Sequence, residues 1–156
     1  MKIVKESLLE FERAKVSSKI GKIRDELKTG SPKYMEVINW LSKYVFRKQY
    51  ELNPDLSINI VKGDFIISER SYMEGFPKFI KFNVCEGDFI IEGRLQDMIG
   101  FPEIVKGSLG VSENKLRDLK GCPKIVEGDF HIIGNPVKFS EEEIRKVCQV
   151  GGTIYA

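Results

Sequence analysis

The sequence predicts an α+β protein in which a helical head precedes a short parallel β-solenoid of leucine-rich-repeat type and a capping helix and strand. Apolar residues recur at helical spacing near the N-terminus, a glycine-centred motif recurs about every 20 residues from residue 58, and a helix-start signal stands near the end. We therefore divide the chain into a basic helical head at 1–50, about four repeat units at 51–139 and a C-terminal cap at 140–156.

Charge is divided unevenly between these parts. Residues 1–50 hold 12 lysines and arginines against 6 acidic residues, whereas residues 51–156 hold 13 against 17. Such a division is typical of a head that meets an acidic partner, nucleic acid included, but it also arises when two solvated faces simply differ in charge. No stretch of 18 apolar residues is present, so we expect no membrane partner.

The head is predicted to contain three short helices. The first two are indicated by apolar residues three or four apart, namely Val4, Leu8 and Phe11, then Ile20, Ile23 and Leu27. The third should begin at Ser31, whose hydroxyl can accept a free amide hydrogen, with Pro32 in the first turn. Its predicted buried stripe is Met35, Ile38, Leu41 and Val45. We expect these helices to cap the repeats, as atypical terminal segments do.

Two sequence markers define the repeats. In the first, an apolar pair and a charged or polar residue precede a glycine, and the glycines are Gly63, Gly87, Gly107 and Gly128. The second is Gly-Phe-Pro or Gly-Cys-Pro, beginning at Gly75, Gly100 and Gly121. Steps of 20 to 25 residues are typical of leucine-rich repeats, in which each unit supplies one strand to a stacked parallel sheet.

The order of residues within a unit supports this interpretation. After Gly107, the alternating Leu109 and Val111 should point into the core, and Asn114 should bond the backbone of the coil. Asn135 repeats that asparagine, whereas arginines, Arg70 and Arg94, stand there in the first two units, which should therefore be less regular. About five extra residues at 78–86 predict a bulged loop or a longer strand.

The cap has a clear start signal. Ser140 followed by Glu143 predicts a capping box, in which the serine hydroxyl accepts from the amide of the glutamate. The apolar face of this helix should comprise Ile144, Val147 and Cys148. Gly151-Gly152 should end it, and residues 153–155 are predicted to add a last strand.

Residues that could carry chemistry have simpler structural roles. Asp64, Asp88 and Asp129 each follow a repeat glycine and could form a cation ladder, but Ser108 interrupts the series. We therefore expect these carboxylates to bond backbone amides at the turns. His131, the only histidine, should point outward without an acidic partner. We predict a non-enzymatic protein with no catalytic residue, no metal, no cofactor and no small-molecule substrate.

The cysteines also have structural interpretations. Cys85, Cys122 and Cys148 form no C-x-x-C pair, and their odd number leaves one unpaired, so a reducing compartment is expected. Cys122 takes the position of Phe76 and Phe101 in the second marker, which predicts a buried, unreactive thiol.

Two surfaces are candidates for partner binding. Ile66, Ile90, Gly110 and His131 should stack in one outward column, with Ile133 beside it. This column either binds a protein partner, as the faces of repeat stacks often do, or is covered by the extra residues at 78–86. The second candidate is the basic face of the head, which could contact phosphates or protein through the cations Lys19, Lys22 and Arg24.

The sequence also resembles known proteins. The stretch from Pro102 to Leu116 resembles the short bacterial type of leucine-rich repeat. Three segments resemble leucine-rich-repeat-like proteins encoded by crAss-like and related phages of gut bacteria: residues 1–13, Gly121 to Phe130 and Asn135 to Ser140. This resemblance covers nearly the whole chain and carries no catalytic residue. It implies a phage protein, made in the host cytoplasm and incorporated in the virion.

The repeat pattern and the resemblance to phage proteins together indicate the expected function. The first hypothesis is a structural or adaptor protein that binds other virion proteins, for instance as an auxiliary protein on the capsid or the portal vertex. The alternative is a free intracellular phage effector that binds a host protein or a nucleic acid through its basic head.

Overall fold

The computed structural model describes residues 31–68 and 72–156, which form a β-solenoid of about four turns with two helices. The first two predicted helices, the cations Lys19, Lys22 and Arg24, and Arg70 lie outside the described residues. The helices are α1 (Pro32–Ser42) and α2 (Glu141–Val147), and Arg47–Gln49 form a 3₁₀ turn. The strands are β1 (Tyr50–Leu52), β2 (Ile58–Ile60), β3 (Phe65–Ile67), β4 (Phe82–Cys85), β5 (Phe89–Ile91), β6 (Ile104–Val105), β7 (Leu109–Gly110), β8 (Ile125–Val126), β9 (Phe130–His131), β10 (Gln149–Val150) and β11 (Ile154–Tyr155).

Each coil contributes two short strands, whereas the repeat spacing had predicted one. The result is two sheets, one of six strands in the order β1-β2-β4-β6-β8-β10 and one of five in the order β11-β9-β7-β5-β3. The second sheet arises because the apolar pair before each repeat glycine is also extended and pairs with the same residues of the next coil. Ile104 pairs with Ile125, for example, and Val105 with Val126. Within the described chain, all strand pairs are parallel except β1 with β2.

The repeat glycines lie at the corner between the two strands of a coil. The amide of Gly107 donates to the carbonyl of Gly87 at 3.0 Å, and Gly128 repeats the bond to Gly107 at 2.9 Å. A Cβ atom on Gly107 would lie only 2.6 Å from the carbonyl carbon and oxygen of Gly87. Gly87, Gly107 and Gly128 therefore recur because adjacent coils approach too closely here for a side chain, whereas Gly63 of the first coil has a left-handed backbone with φ of 76°.

Aromatic side chains fill the first coils. Phe65, Phe89, Leu109 and Phe130 stand in register at the first inward position of the five-stranded sheet, and all four are fully buried. The rings of Phe65 and Phe89 stack with centroids 4.9 Å apart. Burying a phenylalanine contributes about 2 kcal/mol to the hydrophobic stabilisation, and direct ring packing adds to it.

Helix α1 closes the N-terminal end of the solenoid. Ser31 caps it as predicted, with its hydroxyl accepting from the amide of Tyr34 at 3.2 Å. Its buried side chains are Val37, Trp40 and Leu41, and Val45 is buried beyond its end. The predicted stripe is therefore partly wrong: Met35 is exposed and Ile38 is only half-buried. The face is rotated because Trp40 must reach the rings of the first coils.

The first copy of the second marker, which begins at Gly75, does not occupy the same structural position as the other two copies. Tight turns place Phe101 and Cys122 in equivalent positions, since their amides bond the carbonyls of Met98 and Leu119 three residues earlier. In the preceding coil the same bond is made by Ile80 to Pro77. The equivalent of Cys122 is therefore Ile80, and the prediction that Phe76 holds this position is wrong.

Only one of the about five extra residues predicted at 78–86 lies there. From the turn at Ile80 to the next repeat glycine the chain advances seven positions, against six in each of the two following coils. The additional residue, Asn83, lengthens β4 to four residues and shifts its register on β2, because Ile58 pairs with Phe82 while the adjacent Asn59 pairs with Val84. Of the two predicted alternatives, the longer strand is therefore present.

The buried asparagine bonds as predicted, and it also joins adjacent coils. Asn114 donates from Nδ2 to the carbonyl of Ile91 at 2.7 Å, and its Oδ1 accepts from the amide of Leu95 at 3.1 Å. Asn135 bonds the next pair of coils in the same way, with its Oδ1 accepting from the amide of Leu116. Arg94, at the equivalent position, instead lies over the ring of Tyr72 at 5.2 Å.

The C-terminal cap contains one more strand than predicted. Ser140 accepts from the amide of Glu143 at 3.1 Å, and Ile144 and Cys148 are buried, but Val147 is exposed, contrary to the prediction. After the helix, β10 joins the six-stranded sheet and β11 the five-stranded sheet. Residues 149–155 therefore continue the solenoid as a further partial coil.

Candidate partner-binding surfaces

The five-stranded sheet carries a continuous column of outward residues. Ile66, Ile90, Gly110 and His131 are paired in register as predicted, and Tyr155 of β11 extends the series beyond the prediction. We call these five residues the outer column. Their alignment brings residues from separate coils to one surface, at the ~4.8 Å spacing of neighbouring strands.

The outer column has an aliphatic end and an aromatic end, with Gly110 between them. Ile66 is 54% exposed, whereas Ile90 is half-buried. At the other end the rings of His131 and Tyr155 stack, with centroids 4.5 Å apart and planes 10° apart. Gly110 between them is buried, because the side chain of Ile90 covers it: a Cβ atom on Gly110 would lie only 3.2 Å from that side chain.

One neighbouring position enlarges this apolar surface. Ile133, two residues beyond His131, is 51% exposed. The proposed cover by residues 78–86 is wrong, because that segment runs into β4 of the other sheet. Exposed apolar side chains that align across several coils are more informative than scattered ones, since they form a contiguous patch.

The aspartates of the repeats form a ladder between coils. The amide of Asp88 donates to Oδ1 of Asp64 at 2.7 Å, and the amide of Ser108 donates to Oδ1 of Asp88 at 2.8 Å. Ser108 accepts from Asp129 at 3.0 Å, and Asp129 accepts from Thr153 at 2.8 Å. The expected bonds to backbone amides are therefore present, and a serine can replace an aspartate because one acceptor oxygen is sufficient.

Substitutions at Asp88 should show whether the carboxylate acts only as a hydrogen-bond acceptor between coils or whether its negative charge is also required. We expect Asp88→Ala to lower the free energy of unfolding by about 1 kcal/mol, because the amide of Ser108 loses its partner. Asp88→Ser should lower it by less than half as much, since Ser108 already shows that a hydroxyl serves. Urea denaturation followed by circular dichroism measures both values. Equal losses for the two variants would argue against the ladder.

The three cysteines are unpaired and differ in environment. Burial raises the pKa of the Cys85 thiol to about 11, so it stays protonated at neutral pH. Cys122, which is only half-buried, hydrogen-bonds Cys148. That bond, together with burial, raises the pKa of Cys122, while the same bond lowers the pKa of Cys148. The thiol at position 122 is thus less enclosed than the sequence predicted.

A lysine-rich groove crosses the turns that lead into β4, β6 and β8. It has a volume of about 520 Å³, and four lysines line it: Lys78, Lys81, Lys120 and Lys124. Its floor includes Ile99, which is 50% exposed, and Glu103 is the one carboxylate in its lining. We call this feature the lysine groove. Lys124 pairs with Glu103 at 3.6 Å, where both side chains are exposed.

Two features were not predicted from the sequence, namely the position of Tyr155 in the outer column and the lysine groove. Tyr155 could have been found, because the run from Gly152 to Tyr155 repeats the corner and strand pattern of Gly128 to His131. The lysine groove could not have been predicted in this way. Its four lysines come from the turns between strands, and these turns were aligned wrongly because the first copy of the second marker lies at a different structural position.

Comparisons with protein families, curated proteins and solved structures find no significant match to this chain. Within residues 31–68 and 72–156, no helix has the length and apolar character needed to cross a membrane. The same residues contain no group of three or more histidine, cysteine or acidic side chains arranged to hold a metal ion.

Proposed function

We propose that this chain is a non-enzymatic structural or adaptor protein that binds a protein partner through the outer column. The alignment of Ile66, Ile90, Gly110, His131 and Tyr155 across five strands carries the proposal. Such a surface binds by shape and apolar contact. Its stacked ring pair is of the kind enriched in interface centres, where aromatic side chains contribute much of the affinity.

The strand register fixes the spacing of the side chains in the outer column, and the rigid sheet holds them in place, so little conformational entropy is lost on binding. Gly110 is covered by Ile90, so the partner contacts the aliphatic side chains on one side of this position and the stacked rings on the other.

The proposed setting is a phage particle, and the proposed fold type is a short leucine-rich-repeat stack. Both rest on the sequence resemblance, and the buried asparagine of the regular coils supports the second. In this setting the partners are other virion proteins, and the protein is an auxiliary component of the capsid or the portal vertex, made in the host cytoplasm.

Incorporation into particles of the phage that encodes the chain tests this proposal. Wild-type protein and the variant Ile66→Lys/Ile133→Lys would be supplied during infection, and purified particles quantified by mass spectrometry. We expect wild type at many copies per particle and at least a tenfold loss for the variant, because two buried, unpaired ammonium groups are costly in an apolar interface.

A matched control separates binding from folding. The double variant Val61→Lys/Val147→Lys introduces the same two charges at exposed sites outside the outer column, where the side chains are 37% and 48% exposed. It should be incorporated like wild type. Absence of the wild-type protein from particles contradicts the virion assignment. It would favour the free effector, which is then tested by salt-dependent binding to nucleic acid of wild type and of a variant neutralised at Lys19, Lys22 and Arg24.

A further inference from the structure

We infer that the lysine groove is a second docking surface, which binds an acidic, extended peptide segment of a protein partner. It lies on the turns leading into the six-stranded sheet, apart from the outer column of the five-stranded sheet. The inference therefore stands independently of the proposed function, since the two surfaces share no lining residue.

Charge complementarity determines the sign of the occupant. Four lysine ammonium groups line the groove and only Glu103 opposes them, so three positive charges are left without a counter-charge in the lining. Outside the lining, Lys81 interacts with the carboxylate of Asp55, and Lys120 shares a neighbouring surface with Asp97 and Asp118. The lining itself keeps its net positive charge, because Glu103 is its only carboxylate. A concave surface of one charge sign concentrates ligands of the opposite sign.

The repeat itself places one residue of each turn in the lining of the groove. Lys78, Ile99 and Lys120 occupy the same position in three successive turns, each one residue after the carbonyl that accepts the turn hydrogen bond. Two cations therefore flank an exposed aliphatic side chain. Gly100 and Gly121, with φ of 87° and 82°, follow two of these residues and leave the backbone uncovered. The groove floor can thus be approached closely by an extended chain.

The lining favours peptide over nucleic acid. Single-stranded nucleic acid is held by aromatic side chains on which bases stack, together with arginine. The lining of this groove offers lysines and an aliphatic floor, and its one aromatic residue, Phe101, is only 5% exposed. An acidic peptide with interspersed apolar residues satisfies both features, because its carboxylates pair with the lysines and its apolar side chains cover Ile99.

Fluorescence anisotropy with defined probes tests the inference. The probe is a short fluorescein-labelled peptide of glutamate with interspersed leucine, and the full-length chain is titrated into it. We expect binding that weakens as salt rises. The variant Lys78→Glu/Lys120→Glu should weaken it by about tenfold or more, because like charges now oppose the peptide.

Control variants and probes make the result decisive. Lys62→Glu/Lys138→Glu makes the same change in net charge at exposed lysines outside the groove and should leave the affinity within about twofold. Ile99→Ser should weaken the leucine-containing peptide several-fold and leave an all-glutamate peptide unchanged. No measurable binding of the peptide, an equal loss in both double variants, or tighter binding of single-stranded oligothymidylate in the groove would each overturn the inference.

Discussion

Replacing Asn114 by leucine is expected to lower the free energy of unfolding by about 3 kcal/mol, although the two side chains have similar volumes. The asparagine is 1% exposed and joins two coils through the amide of Leu95 and the carbonyl of Ile91. Leucine cannot bond either group, and the closed core admits no water to replace the lost partner. Urea denaturation followed by circular dichroism measures the loss.

The matched control is Asn39→Leu, at an exposed position of helix α1. It introduces the same side chain where the asparagine joins no coils, so the expected change is within about 0.5 kcal/mol of wild type. If Asn114→Leu proved as stable as this control, the bonds between coils would not contribute to stability and the coil order would depend on apolar packing alone.

This asparagine also shows how far local sequence determines the fold. The spacing from Leu109 to Asn114 was sufficient to predict an inward strand and a side chain bonded to the backbone, because both depend on residues close in the chain. The second strand of each coil was missed for the opposite reason. Ile104 and Val105 form a strand of two residues, which is extended only because the neighbouring coils pair with it. Such long-range pairing leaves no periodic signal in so short a segment.

Helix faces were predicted less well than helix starts. Ser31 and Ser140 cap their helices as expected, since capping involves residues three positions apart. Which side chains of a helix are buried depends on the part of the solenoid that packs against it. Met35 and Val147 have suitable spacing, but neither faces the solenoid, and both are exposed.

Most of the outer column was predicted from the sequence, whereas the lysine groove was not. Four members of the outer column follow from the repeat alignment, and their register is confirmed. Tyr155 was assigned to a last strand but not to this column, although the run from Gly152 to Tyr155 repeats the corner and strand pattern of the preceding coil. The lysine groove could not be predicted because it is formed by residues of successive turns. When one coil contains extra residues, the sequence no longer shows which turn residues are equivalent. The basic cations of the head lie outside the described residues.

Substitution of a corner glycine tests most directly whether the close approach of adjacent coils determines the coil geometry. We expect Gly107→Ala to lower the free energy of unfolding by about 2 to 3 kcal/mol, since the added methyl must separate two backbones that lie in contact. The carbonyl group of Gly87 accepts the amide hydrogen of Gly107 itself at 3.0 Å, so it cannot move aside without loss of this bond between coils. Thermal and urea unfolding measure the effect.

Gly75→Ala is the matched control for this corner. Its added methyl would lie no closer than 4.0 Å to its neighbour, the carboxylate of Asp97, and its backbone is not in the left-handed region. The substitution should be neutral or stabilise by up to about 1 kcal/mol, because alanine restricts the unfolded chain more than glycine does. Since the change is identical at the two positions, a large loss at Gly107 alone must come from the approach of adjacent coils. Similar losses at both positions would mean that the repeated glycine does not set the distance between coils.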